Sequence, residues 1–413
     1  MKSVPWLACG VIAGSAMACA AWAQPASPPA IAAQKVSLPV AIDAAWQRAL
    51  SAREVDGQRR RAQAEQTAAG SLWAAPPSLW LGYRDDRIDA NKSARETEVA
   101  LSWPLWLPGQ RSARAAAAGA EMNLADSSGR AARWRIAGEV REAAWVLTAH
   151  QADLDQASAH AASLQALAAD VERRVRAGDL ARADALAARA ETLAATAQQA
   201  EARQRLLATS SRWTLLTGLQ ALPEISETSA AASVTLNPDH PELQQAGQAI
   251  DYARKRVERV KTSHRDPPEL ALRVISETPG RPDGAQTSFG VALKLPFGTD
   301  DRNLPLQAAA LTELDLAETQ ERRLRERLES DLASAQAAVL SAETQEAAER
   351  ARATLLRERA QLIDKSFRAG ESPLPELLRA LAASAQADAS LARQTAALGL
   401  ARARLQQASG LLP

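Results

Sequence analysis

The sequence predicts a mainly α-helical protein with a small β part, and three observations support this fold class. Alanine is very frequent, whereas aromatic residues make up only 4% of the 413 residues, and alanine has the highest intrinsic helix propensity. The helical pattern also runs far longer than in an ordinary globular domain. It is interrupted twice by a pair of short segments with strand periodicity, which excludes a plain fibrous coiled coil.

The first 23 residues predict a secretory signal peptide. Lys2 supplies a positive start, an apolar stretch runs from Trp6 to Ala21, and Ala21 and Ala23 fit the small-residue pattern of a cleavage site. Residues 24–37, rich in Pro, Ser and Ala, are expected to form a disordered linker.

Both cysteines lie inside the predicted signal peptide. Cleavage after Ala23 would leave a mature chain that offers no disulfide and no thiolate metal site. A second interpretation, in which Cys19 becomes a lipidated N-terminus, stays open, although Ala16-Met17-Ala18 lacks the leucine usual before such a cysteine.

The charge balance and the absence of catalytic motifs argue against a nucleic-acid-binding protein or an enzyme. The 49 basic residues nearly balance the 48 acidic ones, which gives a net charge of +1. The sequence contains no Gly-rich phosphate loop and no nucleophile elbow, so we expect no cofactor. The histidines form no close metal-binding pair and are expected to be solvated: His150, His160, His240 and His264.

An internal repeat with an offset of 191 or 192 residues indicates duplication of a whole structural half. Four pairs of markers share this offset: Pro76-Pro77 with Pro267-Pro268, Pro104 with Pro296, Arg176–Asp179 with Arg368–Glu371, and Gly218 with Gly410. The offset is far too long for the unit of a solenoid.

Each half is expected to contain a helix, two strands, a very long helix, a glycine break and a return helix. In the first repeat, residues 38–218, the predicted elements are Leu38 to about Gly70, Ser78–Asp85, Thr97–Trp103, Gln110–Arg176 and Leu180–Leu216. Residues 219–239 are expected to be a linker. In the second repeat, residues 240–410, they are Pro241–Ser263, Glu269–Ser276, Ser288–Leu295, Leu306–Arg368 and Pro373–Ala408.

The long helices show a sparse apolar pattern that predicts coiled-coil packing with a solvated opposite face. The predicted helix Gln110–Arg176, at 1.5 Å per residue, reaches roughly 100 Å. The predicted stripes are Leu180, Ala183, Leu186 and Ala187 in the first half, and Leu377, Leu378 and Leu381 in the second.

The strands alternate between apolar and polar residues. Val99, Leu101 and Trp103 share one face, and Phe289, Val291, Leu293 and Leu295 share another. This pattern fits a strand of a membrane barrel, and it equally fits a half-buried strand of a soluble sheet. Strands in lipid require a closed barrel, so four membrane strands per chain would require oligomerisation.

The order of these elements resembles the TolC-like outer-membrane factors over nearly the whole mature chain. The matching segments are Leu79–Tyr83, Glu98–Leu105 and the two Arg-Ala-Gly turns followed by Asp or Glu. The resemblance implies a homotrimer in the outer membrane, in which each chain gives four strands to a shared 12-stranded β-barrel and its helices to a periplasmic α-barrel. It also implies a periplasmic adaptor (membrane fusion) protein and an inner-membrane efflux pump as partners, with lipid around the barrel.

The same resemblance suggests two kinds of site at the helical hairpins. The turns at the periplasmic tips would dock the adaptor: Arg176, Gly178, Asp179, Arg368, Gly370 and Glu371. Asp184 and Glu376, each six residues after the turn glycine, match the acids of the channel aperture. Such acids are also ordinary dipole partners in the first turns of helices, so both interpretations stay open. A second acid of the family is absent here, because Ala187 and Arg379 occupy its positions.

The expected function is therefore a passive export duct in a tripartite efflux system. The stretch Trp103–Gln110 is similar to the heavy-metal branch of the family, although no Met/His/Cys cluster is present to bind a metal. Drugs and secreted polypeptides remain open as substrates. The alternative is a soluble periplasmic coiled-coil scaffold or adaptor.

Overall fold

The computed structural model describes residues 35–86, 88, 94–225, 235–279, 284–297 and 300–411. The predicted signal peptide and Cys19 lie outside the described residues. The described helices are α1 (Leu38–Arg48), α2 (Leu50–Ala69), α3 (Gln110–Ala177), α4 (Arg182–Thr217), α5 (Pro241–Thr262), α6 (Asp300–Arg368) and α7 (Leu374–Ala408). The described strands are β1 (Lys35–Ser37), β2 (Ser78–Asp85), β3 (Arg95–Pro104), β4 (Leu222–Glu224), β5 (Glu269–Thr278) and β6 (Gln286–Lys294).

Two antiparallel helical hairpins dominate the fold. The first consists of α3 and α4 and the second of α6 and α7, and α3 also packs along α7. Within the described residues α4 and α6 do not touch each other. The four helices therefore lie in the order α4, α3, α7, α6, and α4 and α6 form the two edges of this row.

The packed seams of α4 and α6 repeat every seven residues, which is the period of a left-handed coiled coil. The buried positions are Ala188, Ala195, Ala202 and Thr209 on α4, and Glu346, Ala353, Ala360 and Phe367 on α6. Most of these side chains are small, so the helices can approach closely. The predicted stripe through Leu186 is wrong, because Leu186 is 62% exposed and the alanines carry the contact.

The predicted first helix is divided into two at Ala49. This residue has an extended backbone (φ −70°, ψ 139°), although neither Gly nor Pro marks the position. The break lets Ile42 and Ala45 of α1 join a core with Ile136, Val140 and Trp213, which are identified as one cluster. Val55 of α2 is also buried, but it does not belong to this cluster. Tertiary packing here outweighs local helix propensity.

A short parallel pair joins the two segments that were predicted as linkers. β1 pairs with β4 from Lys35 opposite Leu222 to Ser37 opposite Glu224. Leu222 and Ile225 pack against the same core as α1. The last residues of the first predicted linker and the first residues of the second are therefore ordered by contact with each other.

The other four strands form one antiparallel sheet in the order β2-β3-β5-β6. β3 and β5 come from different halves of the chain and pair along their full lengths, from Arg95 opposite Thr278 to Pro104 opposite Glu269. β2 and β6 are the edge strands. No helix in the described part of the chain has both the length and the apolar character to cross a bilayer.

Candidate functional site

One face of the four-stranded sheet is apolar and exposed. Residues directly opposite each other in an antiparallel sheet point to the same face. Two complete rows are therefore apolar: Leu81, Val99, Val274 and Phe289, and Leu79, Leu101, Leu272 and Val291. All of these except Leu272 are exposed large hydrophobic residues in the single chain.

The other face of the sheet is polar and carries ion pairs. Arg273 lies 3.7 Å from Glu98, Lys294 lies 3.5 Å from Glu269, and the hydroxyls of Ser78 and Ser102 are 2.7 Å apart. Soluble antiparallel sheets also have one apolar and one polar face, but they bury the apolar face on a core. Here the apolar face is exposed in the single chain.

Trp80 is a large aromatic residue on the polar face, and its indole lies over Gly82 of the edge strand β2. A Cβ on Gly82 would lie 2.3 Å from this ring. Glycine is therefore required at position 82 for the ring to occupy this place.

The two hairpin turns have the same backbone geometry. Gly178 and Gly370 both adopt a left-handed conformation, with φ of 88° and 82°. In each turn the next N–H, that of Asp179 or Glu371, reaches back to a carbonyl five residues earlier, at 2.9 and 3.0 Å. This is the Schellman ending of a helix.

The six residues predicted for the hairpin tips are all exposed. They are Arg176, Gly178 and Asp179 in the first turn and Arg368, Gly370 and Glu371 in the second. Arg368 forms a 2.8 Å ion pair with Asp364 one turn earlier in α6. The structure thus presents two similar polar turns, one at the end of each hairpin.

Asp184 and Glu376 occupy the same position, the third residue of their return helices, but their surroundings differ. The Asp184 carboxylate accepts a hydrogen bond of 3.3 Å from the N–H of Ala181, at the start of α4. Pro373 stands at the start of α7 and has no N–H to donate. Glu376 therefore cannot make the equivalent bond.

A groove of about 540 Å³, lined by both charged and apolar residues of α3, α6 and α7, lies near the turns. Arg174 lies over the ring of Phe367 at 5.2 Å, and it also pairs with Asp170 at 3.0 Å. Beneath the groove, the two hairpins share an apolar cluster that includes Val171, Leu374 and Leu377. This cluster holds the two turns together.

The outer sides of the two edge helices carry exposed leucines. On α4 these are Leu186, Leu193, Leu207 and Leu215, and on α6 they include Leu340, Leu355 and Leu362. The face opposite the packed seam is exposed in the single chain, as predicted, but it is not uniformly polar. Leu186 and Leu193, and likewise Leu355 and Leu362, are seven residues apart, which is the spacing of a coiled-coil seam.

No group of three or more His, Cys, Asp or Glu residues suited to a metal occurs in the described ranges. His264 is exposed, as expected, and His150 and His160 are half-buried, but the expectation of a solvated side chain is wrong for His240. His240 is completely buried; its Nδ1 accepts a hydrogen bond from the N–H of Glu242, and its ring meets Trp134 edge-on at 4.7 Å. Burial lowers the pKa of His240, and burial also lowers the pKa of His160.

Comparison with solved structures relates this fold to outer membrane channels. CusC, studied for folding and transmembrane channel formation, has a TM-score of 0.73 and 15% identity, over 90% of this chain and 92% of that chain. The outer membrane protein VceC of Vibrio cholerae has a TM-score of 0.71 and 16% identity, over 90% and 96%. The open state of the Neisseria gonorrhoeae outer membrane channel MtrE has a TM-score of 0.70 and 16% identity, over 90% and 88%.

No protein-family model matches the sequence, and the search of curated proteins also found no match. The structural similarity confirms the predicted fold: a mainly α-helical chain with four sheet strands, of the TolC-like kind that the sequence resembles.

Proposed function

We propose that the chain is the outer-membrane channel subunit of a tripartite efflux system and acts as a passive export duct. The observation that carries the proposal is the sheet with an exposed apolar face and a charged opposite face. An exposed apolar surface of this extent requires a partner. Lipid outside and water inside a closed barrel account for both faces.

The partner that closes the barrel is a second and a third copy of the same chain. β2 and β6 are edge strands, and strands in lipid cannot leave their backbone groups unpaired. β2 of one copy would pair with β6 of the next, so that three copies give a 12-stranded barrel. This is a head-to-tail contact that closes into a ring.

The leucines of the edge helices support the same ring. Leu186, Leu193 and Leu207 lie 8, 15 and 29 residues after Gly178 on α4. Leu362, Leu355 and Leu340 lie 8, 15 and 30 residues before Gly370 on α6. With the turns at one level, the two stripes match in height, so α4 of one copy can pack against α6 of the next.

The turns would meet a periplasmic adaptor protein, which links the duct to an inner-membrane pump. Arg176 and Arg368, with Asp179 and Glu371, present charges of both signs on exposed turns. The adjacent groove between α3 and α6 adds an Arg over an aromatic ring, a combination common in protein interfaces. This supports docking at the tips.

The aperture would be lined by Asp184 and Glu376, which lie one turn inside the tips. Three copies would contribute up to six carboxylates, and such a ring favours cations over anions. Glu376 is the stronger candidate, because the Asp184 carboxylate already bonds to the start of its own helix. A cation preference agrees with heavy-metal ions as the substrate.

The test is cell fractionation followed by crosslinking. The full-length protein should remain with outer membranes after osmotic shock, require detergent for extraction, and crosslink no further than a trimer. A soluble periplasmic scaffold, the alternative, would be released by osmotic shock. Release in soluble form, or a detergent-stable monomer with an intact sheet, would contradict the proposal.

A further inference from the structure

The polar face of the sheet becomes the inner wall when several copies close into a barrel. Along each strand of such a barrel, residues that face the lumen alternate with residues that face lipid. In β2 the inner positions are Ser78, Trp80, Gly82 and Arg84. A barrel of about eight strands is filled by its inner side chains, whereas one of about 16 strands leaves an aqueous channel. In a barrel of intermediate size, the inner side chains therefore determine how much of the lumen is open.

One row across the polar face contains two large side chains. Trp80, Ala100, Arg273 and Gly290 lie directly opposite one another on the four strands. The next row on the helix side contains only small residues: Ser78, Ser102, Ala271 and Ala292. Within the described strands, Trp80 is the only aromatic residue on this face. Trp80 and Arg273 therefore extend further from the wall than the row beside them.

The two large side chains of this row are held differently. Arg273 lies 3.7 Å from Glu98, and a Cβ added to Gly290 would lie 3.0 Å from its Cγ. The long arginine chain is flexible and can move aside when a molecule passes. The indole of Trp80 is rigid beyond two side-chain torsions, and it is 54% exposed in the single chain. Trp80 therefore sets a fixed limit where Arg273 sets a soft one.

Gly82 determines where the indole of Trp80 lies. A Cβ at position 82 would overlap two carbons of the ring, so even alanine would displace it. The sheet closes one side of the ring, and a displaced ring must move off the wall. In a closed barrel this movement is toward the lumen.

The second half of the chain lacks this pair of residues. At the repeat offset of 191 residues, Ala271 stands at the position of Trp80 and Arg273 at that of Gly82. Each chain therefore contributes one indole, from its first half. Three copies related by rotation would place three indoles at one level of the barrel.

We propose that Trp80 sets the size of the largest molecule that the barrel passes, and that Gly82 keeps the lumen open by holding the indole against the wall. This inference rests on the proposed function. The barrel would then select cargo by size, at a level separate from the acidic aperture, which would select by charge. Small ions would pass the indoles freely, and compact molecules close to the width of the lumen would not.

The test is polymer exclusion from single channels of the full-length protein in planar bilayers. Polyethylene glycols of graded size are added on the loop side only, so that the barrel decides which of them enter. The largest polymer that lowers the conductance gives the size cut-off. Trp80→Ala should raise the cut-off, and Gly82→Ala should lower it. The double variant Trp80→Ala/Gly82→Ala should match Trp80→Ala, because no ring remains to be displaced.

Leu81→Ala is the matched control, because it removes a large side chain between these two positions but on the apolar face. Its cut-off should equal that of the wild type. A wild-type cut-off in Trp80→Ala, or a double variant as narrow as Gly82→Ala, would overturn the proposal. If Gly82→Ala forms no channels, the comparison of Trp80→Ala with Leu81→Ala still decides. A wild type without channel activity contradicts the proposed function, whereas channels with an unaltered cut-off contradict only the role of Trp80.

Discussion

The two helical hairpins end in equivalent turns but differ at their outer edges, at the starts of their return helices and at their far ends. The first exposes leucines on its return helix α4, and the second on its outgoing helix α6. The first return helix follows Ala181, and the second follows Pro373. Duplication of a hairpin therefore preserves the turn, while the place of each hairpin in the row of helices determines what surrounds it.

The largest expected effect comes from the outer edges. Leu193→Glu on α4 and Leu355→Glu on α6 should each abolish the trimer, because either change buries an unpaired carboxylate in the proposed contact. Crosslinking and native electrophoresis of extracted membranes measure this. Ala194→Glu is the control, because it adds the same charge at an exposed neighbouring position. Trimer that survives both leucine changes would show that these edges do not meet.

The next effect concerns the turns. Gly370→Val forces a β-branched residue into a left-handed conformation, at a cost of about 1–2 kcal/mol. No atom lies within 4 Å of a Cβ at either turn glycine, so the cost is conformational rather than steric. Efflux-dependent resistance should fall while the trimer level holds.

Gly370→Asn serves as the matched control, because Asn tolerates this conformation and should keep most of the activity. If the two turns are functionally equivalent, Gly178→Val should give the same loss. If both Val variants keep wild-type resistance at equal abundance, the adaptor does not dock at these two turns.

A smaller effect is expected from substitutions of the two candidate aperture acids, Asp184 and Glu376. Glu376→Gln should reduce the cation preference of single channels in planar bilayers, and Asp184→Asn should add to this loss in the double variant. Asp184→Asn alone should also destabilise the start of α4 by about 0.5 kcal/mol, since it weakens a charged bond to Ala181. Glu376 has no such bond to lose. If the double variant has the same reversal potential as the wild type, the two acids do not line the aperture and act only at the starts of their helices.

The smallest effect concerns the far ends. Gly218 and Gly410 both end their hairpins with positive φ, but Gly218 lies beside Arg48 and Gly410 beside the buried His240. Burial holds the pKa of His240 in the folded chain below its unfolded value near 6.5, against the opposing charge of Glu242 and with that of Arg327. As the pH falls through about 6.5, the unfolded chain binds a proton that the native chain does not, so stability decreases.

The melting temperature of the wild type should therefore fall between pH 7 and pH 5. His240→Asn keeps an N-cap acceptor for α5 and removes this titration, so its profile should be flatter. Some slope should remain, because burial shifts the pKa of His160 in the same direction. A wild-type slope retained in full by the variant would assign the acid sensitivity to other groups.

Local signals were sufficient where the chain itself marks a boundary. Gly178 and Gly370 locate the hairpin turns, and the alternation around Val99 identifies β3. Both features can be predicted because they depend only on residues that are close together in the sequence. The break at Ala49 and the pairing of β1 with β4 depend on partners far along the chain. No local pattern contains that information.

The candidate sites show the same division. The sequence locates Asp184 and Glu376 at equivalent helix positions, but only the structure shows that one carboxylate bonds to its own helix start. The three- and four-residue spacing of apolar residues predicts that Leu186 belongs to the packed seam. The seam instead uses Ala188 and Ala195, because closely packed helices favour small side chains.

The unlike edges of the helix row have a consequence for the kinetics of assembly. In a head-to-tail ring, a pair of chains still has one unpaired α4 edge and one unpaired α6 edge, as a single chain does. Only the third chain removes both at once, so the dimer gains one contact and the closed ring gains three. Assembly should therefore be cooperative, with few dimers at equilibrium and a steep dependence on the concentration of newly exported chains.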